Sequence, residues 1–158
     1  MREFKIEKEL WLPYQPEEIF PFFADAANLH RLTPDTMNFE ILTPTPIKMG
    51  EGTVIDYKLR VRKIPMRWRS EITAWEPPHR FTDEQLRGPY RQWIHEHTFE
   101  EKDGGTVCRD RVRYALWGGW IVDKLLVRRD VESIFEYRQA QLKKIFPARD
   151  RRPQAKAS

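Results

Sequence analysis

Between Phe4 and Leu116 the chain alternates apolar and charged residues with a period of two, in run after run. Segments patterned in this way become strands that bury one face and wet the other. Phe4, Ile6, Leu10 and Leu12 share one parity, and Glu3, Lys5, Glu7 and Glu9 the other. Ile55, Tyr57, Leu59 and Val61 oppose Asp56, Lys58, Arg60 and Arg62. After Pro65, Met66, Trp68, Ser70, Ile72 and Ala74 oppose Arg67, Arg69, Glu71 and Thr73. Trp93, His95, His97 and Phe99 oppose Gln92, Glu96 and Glu100, and Cys108, Asp110, Val112, Tyr114 and Leu116 oppose Arg109, Arg111 and Arg113. A strand over 38–43, with Phe39 and Ile41 on one face, and one over about 79–87 complete a set of seven. The parity of the latter is open: Phe81 turns Asp83 and Gln85 inward, whereas Leu86 argues the reverse.

Only two places break the rule. Pro16 opens a helix whose first turn carries Glu17 and Glu18, where carboxylates suit the helix dipole, and whose apolar side is Ile19, Phe20, Phe22 and Phe23. Asp25 and Asn28 can cap a second short helix running to about Leu32. At the other end, Gly118-Gly119 stops the last strand. A long helix then runs to Phe146, with an expected stripe of Val122, Leu125, Leu126, Ile134, Phe135, Leu142 and Ile145. A helix is about 10 Å wide with its side chains and cannot cover seven strands. Large side chains must fill the remaining space, or it stays a cavity. Aromatics make up 13% of the chain, enough to line either.

The expected fold is therefore α+β: a curved antiparallel seven-stranded sheet, two short helices after the first strand, and a long C-terminal helix over the concave face. Residues 1–147 form one domain, and 148–158 read as a disordered basic tail. That tail holds Arg149, Arg151, Arg152 and Lys156 against Asp150, which is +3 of the net +4 and leaves the body near neutral. The outward arginines of the body alternate with carboxylates, so a solvated sheet face is preferred to a nucleic-acid platform. The single cysteine, Cys108, excludes an internal disulfide and fits a cytoplasmic setting. The N-terminus lacks the apolar core of a signal peptide, and no stretch is apolar for the ~20 residues needed to span a bilayer.

The stretch from Arg80 to Phe99, followed by Asp110-Arg-Val-Arg-Tyr114, carries a family likeness. So do Pro16-Glu-Glu-Ile-Phe20, Asn28-Leu29 and Thr33-Pro34. Together they resemble the START/Bet v 1-like (SRPBCC, helix-grip) superfamily, in particular its small bacterial polyketide cyclase/dehydrase-like members. The resemblance covers about residues 3–146. It implies a helix-grip fold with a ligand cavity between sheet and helix.

Within that frame the exceptional residues are His95, His97 and Asp110, charged or polar groups on the dry parity. Two residues apart on one strand, the histidines face the same way. Counting from the Asp103-Gly104-Gly105 turn places Asp110 opposite His97. Asp83 and Gln85 join them if Phe81 sets the parity of its strand. Tyr57, Trp68, Trp93, Phe99 and Tyr114 are candidate walls for a ligand. Three roles compete for the cluster: a satisfied polar network fixing the sheet, a group that binds or protonates a ligand, and a two-histidine carboxylate metal site. The metal role ranks last, and no metal or other cofactor is expected. The leading function is binding of a small hydrophobic or amphipathic ligand. A cyclase or dehydratase with a histidine acid/base is the alternative, and a lipid or quinone carrier is a third. Leu116 to Val122 reads either as a lip at the cavity entrance or as a staple seating the long helix, and the staple is preferred. No stable membrane insertion is expected, and the chain is expected to be a monomer or homodimer.

Overall fold

The computed structural model describes residues 1–149. Seven strands form one antiparallel sheet in the order β1-β7-β6-β5-β4-β3-β2. They are β1 (Phe4–Leu12), β2 (Glu40–Ile41), β3 (Val54–Val61), β4 (Ile64–Glu76), β5 (Arg80–Arg87), β6 (Gln92–Lys102) and β7 (Gly105–Ala115). Between β1 and β2 lie α1 (Pro16–Phe23) and a 3₁₀ turn, Ala26–Leu32, that Asp25 caps by accepting from the Ala27 N–H. Asn28 does not cap it; its side-chain amide donates to the Phe22 carbonyl. The C-terminal helix comprises α2 (Gly119–Val122), a π turn (Asp123–Val127) and α3 (Arg128–Ile145).

Parity translates directly into faces. Leu12, Ile72, Phe81, Phe99 and Cys108 form a core beneath Ile19 and Phe20 of α1. Phe4, Ile6, Val112 and Tyr114 form a second core beneath Val131 and Phe135 of α3. On the wet face Arg109 reaches Glu9, Arg111 reaches Glu7, and Arg69 reaches Asp56. These exposed ion pairs set register more than stability. Phe81 stacks on His97 with centroids 4.0 Å apart, so Asp83 and Gln85 do turn inward, and Leu86 is exposed.

Four expectations need correction. Strand 2 is two residues long, not six, because only Glu40 and Ile41 pair with β3. Pro65 does not precede the strand but lies within it, opposite Arg60; the turn is Arg62-Lys63, both at positive φ. The pairing of β4 with β5 starts only at Arg69, so Pro65 lies where β4 has no neighbour on that side. A register shift between Ile72 and Ala74 then turns Trp75, not Ala74, onto the core with Phe20 and Phe81.

The helix stripe is the fourth. Ile134, Phe135 and Leu142 face the sheet, but Leu125 is 69% exposed and Leu126 45%. The π turn adds a residue to the helix and changes its phase. Asp123 is turned inward instead, where it accepts hydrogen bonds from the Tyr114 hydroxyl and Arg128. The expected tail, 148–158, lies outside the described residues beyond Arg149. Arg149 itself pairs with Glu18 and covers the Tyr14 ring at 4.0 Å.

Candidate functional site

A cavity of about 240 Å³ lies between the sheet and the C-terminal helix. Its walls are apolar: Leu29 and Leu32 from the 3₁₀ turn, Leu59 and Trp68 from the sheet, and Ile134 and Phe135 from α3. Among its polar residues, Asp83, His95 and His97 on the inner face of β5 and β6 lie against Arg138 of α3.

Strand register builds this cluster. His97 pairs with Asp110 across β6 and β7, as the turn count predicts, and Asp83 pairs with His95 across β5 and β6. The side-chain bonds run diagonally. His95 Nε2 lies 2.8 Å from Asp110 Oδ1, and His97 Nε2 lies 2.7 Å from Asp83 Oδ2. Arg138 reaches Asp110 Oδ2 with Nε at 3.3 Å and His97 Nδ1 with a terminal nitrogen at 3.2 Å. A guanidinium only donates, so His97 Nδ1 accepts and carries no proton; its Nε2–H donates to Asp83. The two imidazoles stack with centroids 3.7 Å apart, between Phe81 on one side and the edge-on ring of Phe135 on the other.

Electrostatics follow from this packing. Burial alone would raise the Asp110 carboxyl, but the Arg138 charge and the bond from His95 outweigh it and hold the group well below the usual carboxylate range. The same contest, with His97 as the main stabilising partner, leaves Asp83 lowered. His95 goes down because burial, the largest influence on it, outweighs its two carboxylate neighbours. Both carboxylates are thus ionised and His95 is neutral. With one guanidinium against two carboxylates, the cluster holds one net negative charge.

Asp83, His95 and His97 present three ligand atoms within 4.8 Å of one another, the spacing a metal ion would need. His97 Nδ1 already accepts from Arg138 and its Nε2 donates to Asp83. The adjacent guanidinium also opposes a second cation. The donor set therefore fits a hydrogen-bonded network better than a metal centre.

The expected residues divide into two groups. His95, His97, Asp110 and Asp83 meet in the cluster, and Tyr57, Trp68 and Trp93 line the cavity. Tyr57 Oη lies 3.2 Å from Ser70 Oγ, and burial together with the Asp83 charge pushes its phenol up. The indole N–H of Trp68 is buried without a hydrogen-bond partner, which costs about 1–3 kcal/mol. Gln85, Phe99 and Tyr114 stand elsewhere. Gln85 clamps the backbone of Tyr90 through both ends of its amide, Phe99 packs under α1 with Phe20, and Tyr114 stacks on Phe4 and bonds Asp123. Arg138, Phe135 and Tyr90 were not anticipated. Arg138 was within reach of a spacing argument, since it follows Val131 and Phe135 and precedes Leu142 at intervals of three and four.

Cys108 lies beside the cluster, fully inside the sheet, and burial with the Asp110 charge pushes its thiol up to about 12. It is expected to resist iodoacetamide at pH 8 in the native protein and to react at once in denaturant. Rapid native alkylation would contradict this placement.

A curved antiparallel sheet gripping a long helix defines the START/Bet v 1-like helix-grip class. Residues 12–141 match the family described as polyketide cyclase / dehydrase and lipid transport, and the chain belongs to that family. Among curated proteins none matches. Solved structures that resemble it include protein CV1439 of Chromobacterium violaceum, at 13% identity and a TM-score of 0.71, covering 92% of this chain and 98% of that one. Major latex-like protein 151 of Panax ginseng aligns at 10% identity and a TM-score of 0.67, covering 92% and 99%. Ara h 8.0201 aligns at 17% identity and a TM-score of 0.66, covering 92% and 98%. At such identities the likeness speaks to the fold alone. No helix among the described residues is long and apolar enough to cross a membrane.

Proposed function

We propose that this chain binds a small, uncharged amphipathic compound, with its apolar body in the cavity and its hydroxyl or carbonyl end at the His95–His97–Asp83 cluster. The observation that carries this reading is an apolar cavity ending on a buried polar cluster that already holds one net negative charge. An anionic head group such as a fatty-acid carboxylate would meet that charge and lose its hydration with no free cation to receive it. A hydroxyl can donate to Asp83, and a carbonyl oxygen can accept from the unpartnered Trp68 N–H. At about 240 Å³ the space is below the usual ~300–1,000 Å³ of ligand pockets. That size favours a compound of one or two rings over a two-chain lipid.

Native mass spectrometry of the protein as purified, followed by solvent extraction, is expected to release one such compound per chain. Ile134→Trp fills the cavity from the helix side and is expected to cut the bound fraction at least tenfold without lowering the melting temperature. A protein that stays free of ligand after exposure to a small-molecule extract of cells would overturn the reading.

A second reading, a cyclase or dehydratase, is favoured by one feature. His95 is neutral, lines the cavity, and has its Nδ1 3.9 Å from Asp83, beyond hydrogen-bond range. A neutral imidazole so placed can take a proton from carbon next to a ligand carbonyl. Turnover of the extracted compound, abolished in His95→Gln with binding retained, would separate the enzyme from the simple binder.

A further inference from the structure

The segment joining the sheet to α3 exposes a set of large apolar side chains. Trp117 is 68% exposed, Trp120 and Ile121 52% each, and Leu125 69%. Trp117 lies in the turn before the helix, Trp120 and Ile121 in its first turn and Leu125 in the π turn, so the exposed set follows the chain without a break in exposure at these four positions. Of the expected staple, Leu116 packs on the core beneath α3, whereas Trp117, Trp120 and Ile121 stay outside it. Cations border the same segment. Arg91 lies over the Trp117 ring at 5.2 Å, and Lys124 and Arg129 make no ion pair among the described residues. The only carboxylate between 117 and 129, Asp123, is turned inward and buried. The β3–β4 hairpin tip adds Lys63 and the 58% exposed Ile64, and the Arg62–Asp130 ion pair holds that tip against the start of α3. Val61 and Val127, next to these exposed residues in the chain, line the cavity.

We propose that this face docks reversibly on an anionic lipid bilayer. Tryptophan with aliphatic side chains and a rim of unpaired cations is the composition that suits the interfacial zone of a bilayer with a negative surface. A second copy of the chain fits less well, because a two-fold contact through this face would bring Lys124 and Arg129 of one protomer against the same cations of its partner. Docking places the Val61–Val127 edge of the cavity at the lipid surface, where a membrane-dissolved compound is available. The docking surface and the ligand reading rest on different residues, and either can fail alone.

The test is co-sedimentation with vesicles of phosphatidylcholine containing phosphatidylglycerol, beside vesicles of phosphatidylcholine alone. Binding is expected to the first, to weaken about tenfold or more in Lys124→Glu/Arg129→Glu, and to fall in 0.5 M salt, where the screening length drops to roughly 4 Å. Trp120→Ser/Leu125→Ser is expected to lose binding to the anionic vesicles while keeping the wild-type melting curve, since both positions are exposed. Absence of binding to the anionic vesicles, or equal binding by the double variants, would overturn the proposal. So would sedimentation velocity showing a dimer that Trp120→Ser/Leu125→Ser dissolves.

Discussion

Arg138→Leu is expected to lose about 3–5 kcal/mol of stability, measured as a shift in the urea midpoint with an unchanged slope. Arg138 is 6% exposed and, among the described residues, is the one guanidinium bonded to the buried cluster. Leucine fits the volume of the apolar stripe, so the loss is electrostatic. Asp110 would keep its His95 donor, but its charge would stay buried without a counter-cation. Against a typical total of about 5–15 kcal/mol, such a loss brings the domain near the threshold of folding. Two further variants identify the cause. Arg138→Lys keeps the charge but not the fork that spans Asp110 and His97, and is expected to recover only part of the loss. Arg138→Leu/Asp110→Asn removes both charges and is expected to recover more than half, so the two substitutions are strongly non-additive. A loss below about 1 kcal/mol for Arg138→Leu would mean that water, not Arg138, compensates the carboxylates.

This residue also marks how far the sequence could be read. Strand parity carried the seven strands, their wet and dry faces, and the meeting of His95, His97 and Asp110, because a period of two is a local property that pairing preserves. Asp83 was settled by Phe81 rather than Leu86 once stacking on His97 was visible. Arg138 escaped because the helix was read through its apolar residues alone, and a buried cation has meaning only with the carboxylate opposite it. The exposure of Leu125 escaped for a different reason. A π turn is a change of phase, and no residue type announces it; the inward turn of Asp123 depends on the Tyr114 hydroxyl from a distant strand. Phe99 and Tyr114 lie on the correct face but under the wrong cover, since parity says which side is dry and not what packs on it. The register shift at Ile72–Ala74 belongs with these: one extra residue in β4 exchanges Ala74 for Trp75 on the core.

Stability is expected to fall with acid in two steps, and their sign follows from the cluster. His95 has a lowered folded-state pKa, so below about pH 6.5 the unfolded chain binds a proton that the folded one refuses. Unfolding free energy should therefore be level above about pH 7 and decline below it, with a slope approaching about 1.4 kcal/mol per pH unit for this one group. Asp83 and Asp110 are lowered as well, and their contribution is present above the unfolded carboxylate range near pH 4 and lost as pH falls through their folded values. In that lower window the two carboxylate protons add to the one that His95 refuses, and the slope should steepen beyond that of the upper window. The exposed ion pairs of the wet face contribute little here, and less still at high salt, so urea titrations in 0.5 M NaCl isolate the buried groups. His95→Gln keeps a donor for Asp110 and should flatten the upper window while leaving the lower one. Asp110→Asn should make the slope of the lower window shallower. A protein that gained stability between pH 7 and 5.5 would instead mean that the stacked imidazoles take up a proton to neutralise the cluster, and the uncharged head group inferred for the ligand would lose its basis with it.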